Sequence, residues 1–154
     1  RITLSEEIYA LELYLALEEM RFENGFEYNI KVSEMIDADM VRIPSMIIQP
    51  YVENAIKHGL LHKKENRKLD INFFREDLYL IATIEDNGIG RKKAEELKII
   101  KDSKHKPFST QANETRLKIL NAGNETTVGV MITDKFTQDG LPTGTFVRLS
   151  ILLS

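Results

Sequence analysis

Residues 44 to 59 read Pro-Ser-Met-Ile-Ile-Gln-Pro-Tyr-Val-Glu-Asn-Ala-Ile-Lys-His-Gly, and further on comes Glu85-Asp86-Asn87-Gly88-Ile89-Gly90. In the first run Glu53, Asn54, Lys57 and His58 make a polar edge on an otherwise apolar helix. Asn54 and Lys57 are three apart, and Glu53 and Lys57 four apart, so they are neighbours on a helix surface. Magnesium takes oxygen ligands and keeps several waters, so one amide oxygen, from Asn54, is enough when phosphates supply others. Lys57 offers a mobile cation suited to phosphate. Glu53 can accept a hydrogen bond or act as a base. Asp86 ends an apolar strand, where a carboxylate can accept from an exocyclic amine such as adenine N6. Gly88 and Gly90 let backbone approach a flat base or a phosphate closely. Taken singly, these are a solvated Glu-Lys edge and an Asn-Gly turn, and Gly144-Thr145 is an ordinary strand start. Together they describe a magnesium–nucleotide site.

Other chemistries find less support. There are no cysteines, which excludes disulfides, thiolate zinc sites and Cys nucleophiles. His58 and His62 are four apart, a spacing zinc uses, but no His-Glu-x-x-His context accompanies them, and His105 completes no triad. No Gly-rich Walker loop and no serine nucleophile elbow occurs. The net charge of −3 argues against non-specific nucleic-acid binding. No apolar run approaches the ~20 residues a membrane helix needs. With 154 residues, 42% of them hydrophobic, one domain with a real core is expected. The chain starts at Arg1 rather than Met, so a piece of a longer protein is expected.

The elements that must position these groups follow from periodicity. Residues 3 to 22 read as a helix capped by Thr3 or Ser5, with Glu6 and Glu7 favoured in its first turn by the helix dipole. Its apolar face is built from Ile8, Leu11 and Leu15 and widened by Leu4, Tyr14, Leu17 and Met20. So many large apolar residues imply packing against the domain or a second chain. Phe26, Tyr28, Ile30 and Val32 alternate with polar residues as a half-buried strand. A helix is expected from Pro44 to about His62, with Pro50 kinking it or marking a short lead-in turn. Leu69 to Phe73 and Leu78 to Asp86 read as strands joined by a turn at Glu76-Asp77. Helices are expected at 91–100 and 113–121, the second stopped by Gly123, with a polar stretch between them. Val128 to Ile132 and Thr145 to Ile151 read as strands around a turn at Gln138-Asp139-Gly140. The order points to an α+β two-layer sandwich.

The quoted segments resemble the ATP-binding domain of sensor histidine kinases, in the Bergerat-fold ATPase group, and more closely its LytS-type branch. Residues 49 to 59 look like that branch's N box, 85 to 90 match the G1 box, and 144 to 147 match the Gly-Thr element near the domain end. Tyr14 to Phe22 resembles the helix leading into the domain, and Thr115 to Asn121 the helix after the ATP lid. The resemblance implies a mixed, mostly antiparallel sheet covered by helices on one face. It implies a division into a leading helix at 1–24, from an upstream dimerisation and phosphoacceptor region, and an ATP-binding domain at 25–154. It implies ATP and Mg2+ as cofactors: Asn54 on magnesium, Lys57 and His58 on phosphates, and Asp86 on adenine N6, partly through water held by Thr145. Gly88 and Gly90 would shape the pocket and hinge a lid at 92–112. Glu53 and Lys57 are the residues expected to carry the catalysis. The parent protein is expected to pass the γ-phosphoryl group to a histidine, then to an aspartate of a response regulator, with a LytTR-type regulator as partner. It is expected to be a homodimer, cytoplasmic in this part, anchored in the bacterial plasma membrane elsewhere, with no direct nucleic-acid or membrane contact by this segment.

Two departures stand out. The lid stretch Pro107-Phe108-Ser109-Thr110-Gln111-Ala112 has no glycine, where the family often has one. No histidine lies in a phosphoacceptor segment, so this chain is expected to bind ATP without phosphorylating itself. Two alternatives are a stand-alone serine kinase and anti-sigma factor of the same ATPase group, and a degenerate docking module that no longer binds ATP.

Overall fold

The computed structural model describes residues 1–23, 25–90 and 128–153. The helices expected at 91–100 and 113–121, the lid, the stop at Gly123, and His105 lie outside the described residues.

The chain opens on a two-residue strand, β1 (Ile2–Thr3), which pairs antiparallel with β3 (Arg42–Ile43), a small sheet the periodicity did not announce. Helix α1 (Leu4–Glu19) follows at once. Thr3 is its cap: the Thr3 hydroxyl accepts from the Glu6 amide at 3.1 Å, and the Glu6 carboxylate accepts from the Thr3 amide at 3.2 Å. This reciprocal pair satisfies two of the amides that a helix start leaves open. Leu4, Leu11 and Leu15 are fully buried and belong to the main core. Leu17 and Met20, expected to widen that face, are instead 66% and 84% exposed. At 3.6 residues per turn they fall on the opposite side of the helix from Leu15 and Leu11.

The second helical segment starts five residues later than expected, at Gln49 rather than Pro44, and ends at His62 as expected. Pro44 lies before it, in a turn region, and α2 spans Gln49–Asn54 with Pro50 in its first turn, where a missing N–H costs nothing. Pro50 therefore marks the helix start, not a kink in its middle. Met46, with φ at 59°, turns the chain between β3 and α2. Beyond Asn54 the helix widens to a π turn over Ala55–Gly59, then tightens to a 3₁₀ turn over Leu60–His62.

The main sheet has the order β2-β4-β5-β7-β6, built from β2 (Glu27–Val32), β4 (Lys68–Glu76), β5 (Tyr79–Asp86), β6 (Val128–Phe136) and β7 (Pro142–Leu152). Only β2 and β4 run parallel; the other neighbours are antiparallel. The expected α+β class and mixed, mostly antiparallel sheet are what the structure has. Every second residue of the inner strands faces the helices: Leu69, Ile71 and Phe73 on β4, Leu80, Ala82 and Ile84 on β5, Leu149 and Ile151 on β7. They pack with Leu4, Leu11 and Leu15 of α1, and with Ile48, Val52, Ile56 and Leu60 of the second helical segment. The turn after β4 is the two residues Asp77 and Leu78, with Asp77 at φ 54°. The turn at 138–140 forms as expected, with Gly140 donating to the Thr137 carbonyl at 2.9 Å.

Candidate functional site

Strand β5 runs through the middle of the sheet and delivers Asp86 at its end, 4% exposed. A carboxylate this buried needs partners. The Gly88 amide donates to Asp86 Oδ1 at 2.8 Å. Asp86 is paired in register with Thr145 of β7, and the Thr145 amide also favours its charged form. Burial outweighs these: the Asp86 carboxyl is pushed up from 3.8 to about 6, against the pull of the Gly88 amide, Lys135 and the Thr145 amide.

The site is assembled by close backbone contact. A Cβ on Gly88 would stand 2.4 Å from the Gly59 carbonyl carbon, and one on Gly144 would stand 1.9 Å from the Asp86 carbonyl oxygen. Neither position admits a side chain, because the neighbouring atoms are backbone inside a paired sheet and a helical turn. A Cβ on Gly59 would come within 2.9 Å of Asp86 Oδ1, so the end of the π turn lies directly on the carboxylate. The Ile89 amide closes the contact by donating to the Gly59 carbonyl at 3.3 Å. Gly90, at φ 84°, lies beside Pro142.

The loop after β5 is held from the other side. The Asn87 side chain accepts from the Lys68 amide at 2.8 Å and donates to the Asn66 carbonyl at 2.6 Å. Lys63 Nζ donates to the Asn87 carbonyl at 2.9 Å. An open cavity of about 410 Å³ lies here, lined by Lys63, Asn87, Gly88, Ile89, Leu141, Pro142 and Thr143.

The polar edge read from the sequence lies on the segment that runs into Gly59. Glu53 and Asn54 close α2, and Lys57 and His58 sit in the π turn. Such turns recur at functional sites. Tyr51, Val52, Ala55 and Ile56 anchor the segment in the core, leaving Glu53, Asn54 and His58 half-buried and Lys57 exposed. Glu53 Oε1 accepts from Gln49 Nε2 at 3.3 Å; among the described residues it makes no ion pair with Lys57.

Asp86, Gly88, Gly90 and Thr145 are thus brought together, and the segment bearing Glu53, Asn54, Lys57 and His58 abuts them through Gly59. Lys63, Asn87, Pro142 and Thr143 were not singled out from the sequence. Gly59 stood at the end of a quoted motif, inside a helix expected to run to about His62, with no role of its own. Asn87 sat between two signals and looked like turn chemistry.

No family model matches the chain. Curated relatives do. The sensor protein LytS of Staphylococcus haemolyticus is 40% identical over 91 residues, covering 58% of this chain and 15% of that protein. LytS of Staphylococcus epidermidis is 35% identical over 89 residues. The sensor histidine kinase BtsS of Escherichia coli is 35% identical over 87 residues, 56% of this chain and 15% of that protein. The chain therefore spans about 15% of the length of the curated relatives it matches. Among solved structures, the catalytic domain of histidine kinase ThkA in a nucleotide-free form superposes with a TM-score of 0.61 over 98% of this chain and 94% of that one, at 16% identity. A mycobacterial sensor histidine kinase, MprB, superposes with a TM-score of 0.63 over 99% of this chain and 95% of the other, at 13% identity. The fold is that of histidine kinase catalytic domains, and the sequence is similar to sensor histidine kinases of the LytS and BtsS kind.

Proposed function

We propose that this chain is the ATP-binding catalytic portion of a LytS-type sensor histidine kinase. The observation that carries the reading is Asp86: a buried carboxylate at a strand end, framed by Gly59, Gly88 and Gly144, with Thr145 beside it. A structural role alone explains poorly why a central strand ends on an acid that burial disfavours. An acceptor for the adenine exocyclic amine explains it, since that donor supplies the hydrogen bond the carboxylate needs in place of water.

The residues present fit a magnesium nucleotide. Asn54 provides the amide oxygen suited to magnesium, and Lys57 and His58 provide positive or donor groups for phosphates. Magnesium, when bound, neutralises charge on the transferred phosphoryl group. The chain's own work is positioning: Asp86 fixes the base, the Gly88–Gly90 backbone lets the nucleotide lie close, and Lys57 draws the phosphates toward the helical segment. Glu53, which accepts from Gln49, would orient or accept a proton from a reacting group near Asn54.

The receiving histidine would be supplied by a part of the protein outside this chain, and a response-regulator aspartate, of LytTR type, would take the phosphoryl group next. The division into a leading segment at 1–24 and an ATP-binding domain at 25–154, homodimerisation, and a membrane anchor elsewhere in the protein belong to the same reading. Among the described residues no helix is long and apolar enough to cross a membrane.

The test is calorimetric titration with a non-hydrolysable ATP analogue, with and without magnesium. Saturable binding that tightens with magnesium and is lost in Asp86→Asn supports the reading. A folded sample that binds nothing overturns it.

A further inference from the structure

Glu7 is 1% exposed, although it is a carboxylate on the buried face of α1 between Leu4 and Leu11. Nothing in the proposed chemistry uses it. Its partners lie far along the chain: Oε2 accepts from the Met46 amide at 3.2 Å, and Oε1 accepts from the Gln49 amide at 3.3 Å. Both amides belong to the start of the segment that carries Asn54 and Lys57.

That helix start has no cap of its own. The residue at the capping position is Ile48, whose side chain offers no acceptor. Pro50 has no N–H, and the Tyr51 and Val52 amides turn back to the Ile48 carbonyl at 3.0 and 3.4 Å. The Gln49 amide would be left open, and Glu7 takes it. The Met46 amide reaches the same carboxylate with the backbone at φ 59°, a conformation most side chains avoid. The two-point contact fixes where α2 starts, and the start of a short helix sets the position of everything it carries.

The first turn of α1, which carries Glu7, is itself tied down. The Leu4 and Ser5 amides donate to the Val41 and Ala38 carbonyls at 2.8 and 2.9 Å, next to the β1–β3 pairing. Glu7 thus joins the anchored first turn of α1 to the first turn of α2. We propose that Glu7 is a positioning residue for the nucleotide site: its carboxylate holds the segment bearing Asn54 and Lys57 in register with Asp86. The position of α1 and the affinity for magnesium nucleotide are therefore coupled. This inference rests on the nucleotide reading above. It separates two parts of the site. Asp86 sits on β5 and keeps its place without Glu7, whereas Asn54 and Lys57 do not.

The experiment compares wild type with Glu7→Gln by titration with adenosine, and with an ATP analogue with and without magnesium. Hydrogen exchange over residues 46–57 is followed in parallel. The expected result is adenosine affinity unchanged, the tightening conferred by magnesium reduced roughly tenfold, as loss of a charge-assisted hydrogen bond implies, and faster exchange at Met46 and Gln49. A folded Glu7→Gln chain with the wild-type magnesium effect overturns the proposal while leaving the nucleotide reading intact. So does a loss that falls equally on adenosine and on the magnesium nucleotide, which marks a merely structural role. If Glu7→Gln does not fold, Glu7→Asp, which keeps the charge, carries the same comparison. Failure of both to fold also assigns Glu7 to structure alone. A wild-type chain that binds no nucleotide overturns both readings together.

Discussion

Replacing Asp86 by Asn is expected to change stability in a pH-dependent way that its burial dictates. The carboxyl titrates near 3.8 when exposed and at about 6 in the folded chain, chiefly through desolvation. Its folded value lies above its unfolded one, so the folded state holds the proton more tightly. Below the unfolded value both states are protonated and Asp86 exacts no penalty. As pH rises through the folded value the charge must be buried, and stability falls. At about 1.4 kcal/mol per unit of pKa difference, the penalty is about 3 kcal/mol once fully developed. Asn keeps an oxygen for the Gly88 amide and carries no charge, so it escapes this term. Whatever constant offset its NH2 introduces beside Thr145, the stability of Asp86→Asn relative to wild type should grow by about 3 kcal/mol between about pH 4 and pH 7. For a chain of this size that corresponds to a Tm difference widening by about 6–12 °C. Urea denaturation of both proteins followed by circular dichroism, repeated across that range, measures it. A stability difference that is flat with pH, or that shrinks as pH rises, would refute the assignment of Asp86 as a buried, desolvated carboxylate.

The same titration reaches ligand binding. If only the charged carboxylate accepts from adenine, affinity for an ATP analogue should fall about tenfold from pH 7 to pH 5, measured by calorimetry. Asn54→Ala should remove most of the magnesium-dependent gain in affinity and leave adenosine binding near wild type, read from the same titrations. Gly88→Ala forces a Cβ to within 2.4 Å of the Gly59 backbone. It should cost about 3 kcal/mol or prevent folding, whereas Gly129→Ala, with its nearest neighbour at 4.0 Å, should stay within about 1 kcal/mol in urea melts. Breaking the Arg148–Glu76 pair, 2.7 Å apart and partly exposed, by Glu76→Ala should cost less than about 1 kcal/mol by the same assay.

Where side chains alternate or recur at a fixed period, the sequence was a good guide. Strands β4, β5 and β7 face the core through the alternation read at Leu69–Phe73, Leu78–Ile84 and Thr145–Ile151, because a half-buried strand has period two and little freedom to slip; Leu78 departs, lying in the turn before β5 and 62% exposed. The start of α1 was legible because a cap is a local device: Thr3 and Glu6 need only each other. The second helix was misread because its start depends on residues far away. Pro44 is as good a first-turn residue as Pro50, and what decides between them is the pairing of Ile43 with Ile2 and the reach of Glu7 to Gln49. Glu7 itself was legible only as one of two acids in a first turn. The long-range contact that gives it a role has no signature in spacing. Among the site residues, Asp86 and its glycines were legible as a motif, while Lys63 and Asn87 were not, since their value comes from the return of the 63–68 loop onto the β5 end.

Two buried carboxylates, Glu7 and Asp86, define the mechanics of the site, and they differ in what satisfies them. Glu7 faces two backbone amides whose own positions it fixes, so the contact is complete without a ligand. Asp86 is tied to the Gly88 amide and favoured by Thr145, yet burial still raises it to about 6. The first arrangement stabilises the fold, and the second leaves a carboxylate whose charged form the fold alone does not fully support. A donor arriving at Asp86 offsets that deficit, so the free energy of binding includes relief of a cost already present in the folded chain. Destabilisation at Asp86 is therefore tolerable only where the rest of the site is held by contacts independent of it. The Glu7 latch and the Asn87 clamp meet that requirement. On this argument, Glu7→Gln should lower stability at neutral pH, Asp86→Asn should gain stability relative to wild type as pH rises, and both should weaken binding of the magnesium nucleotide.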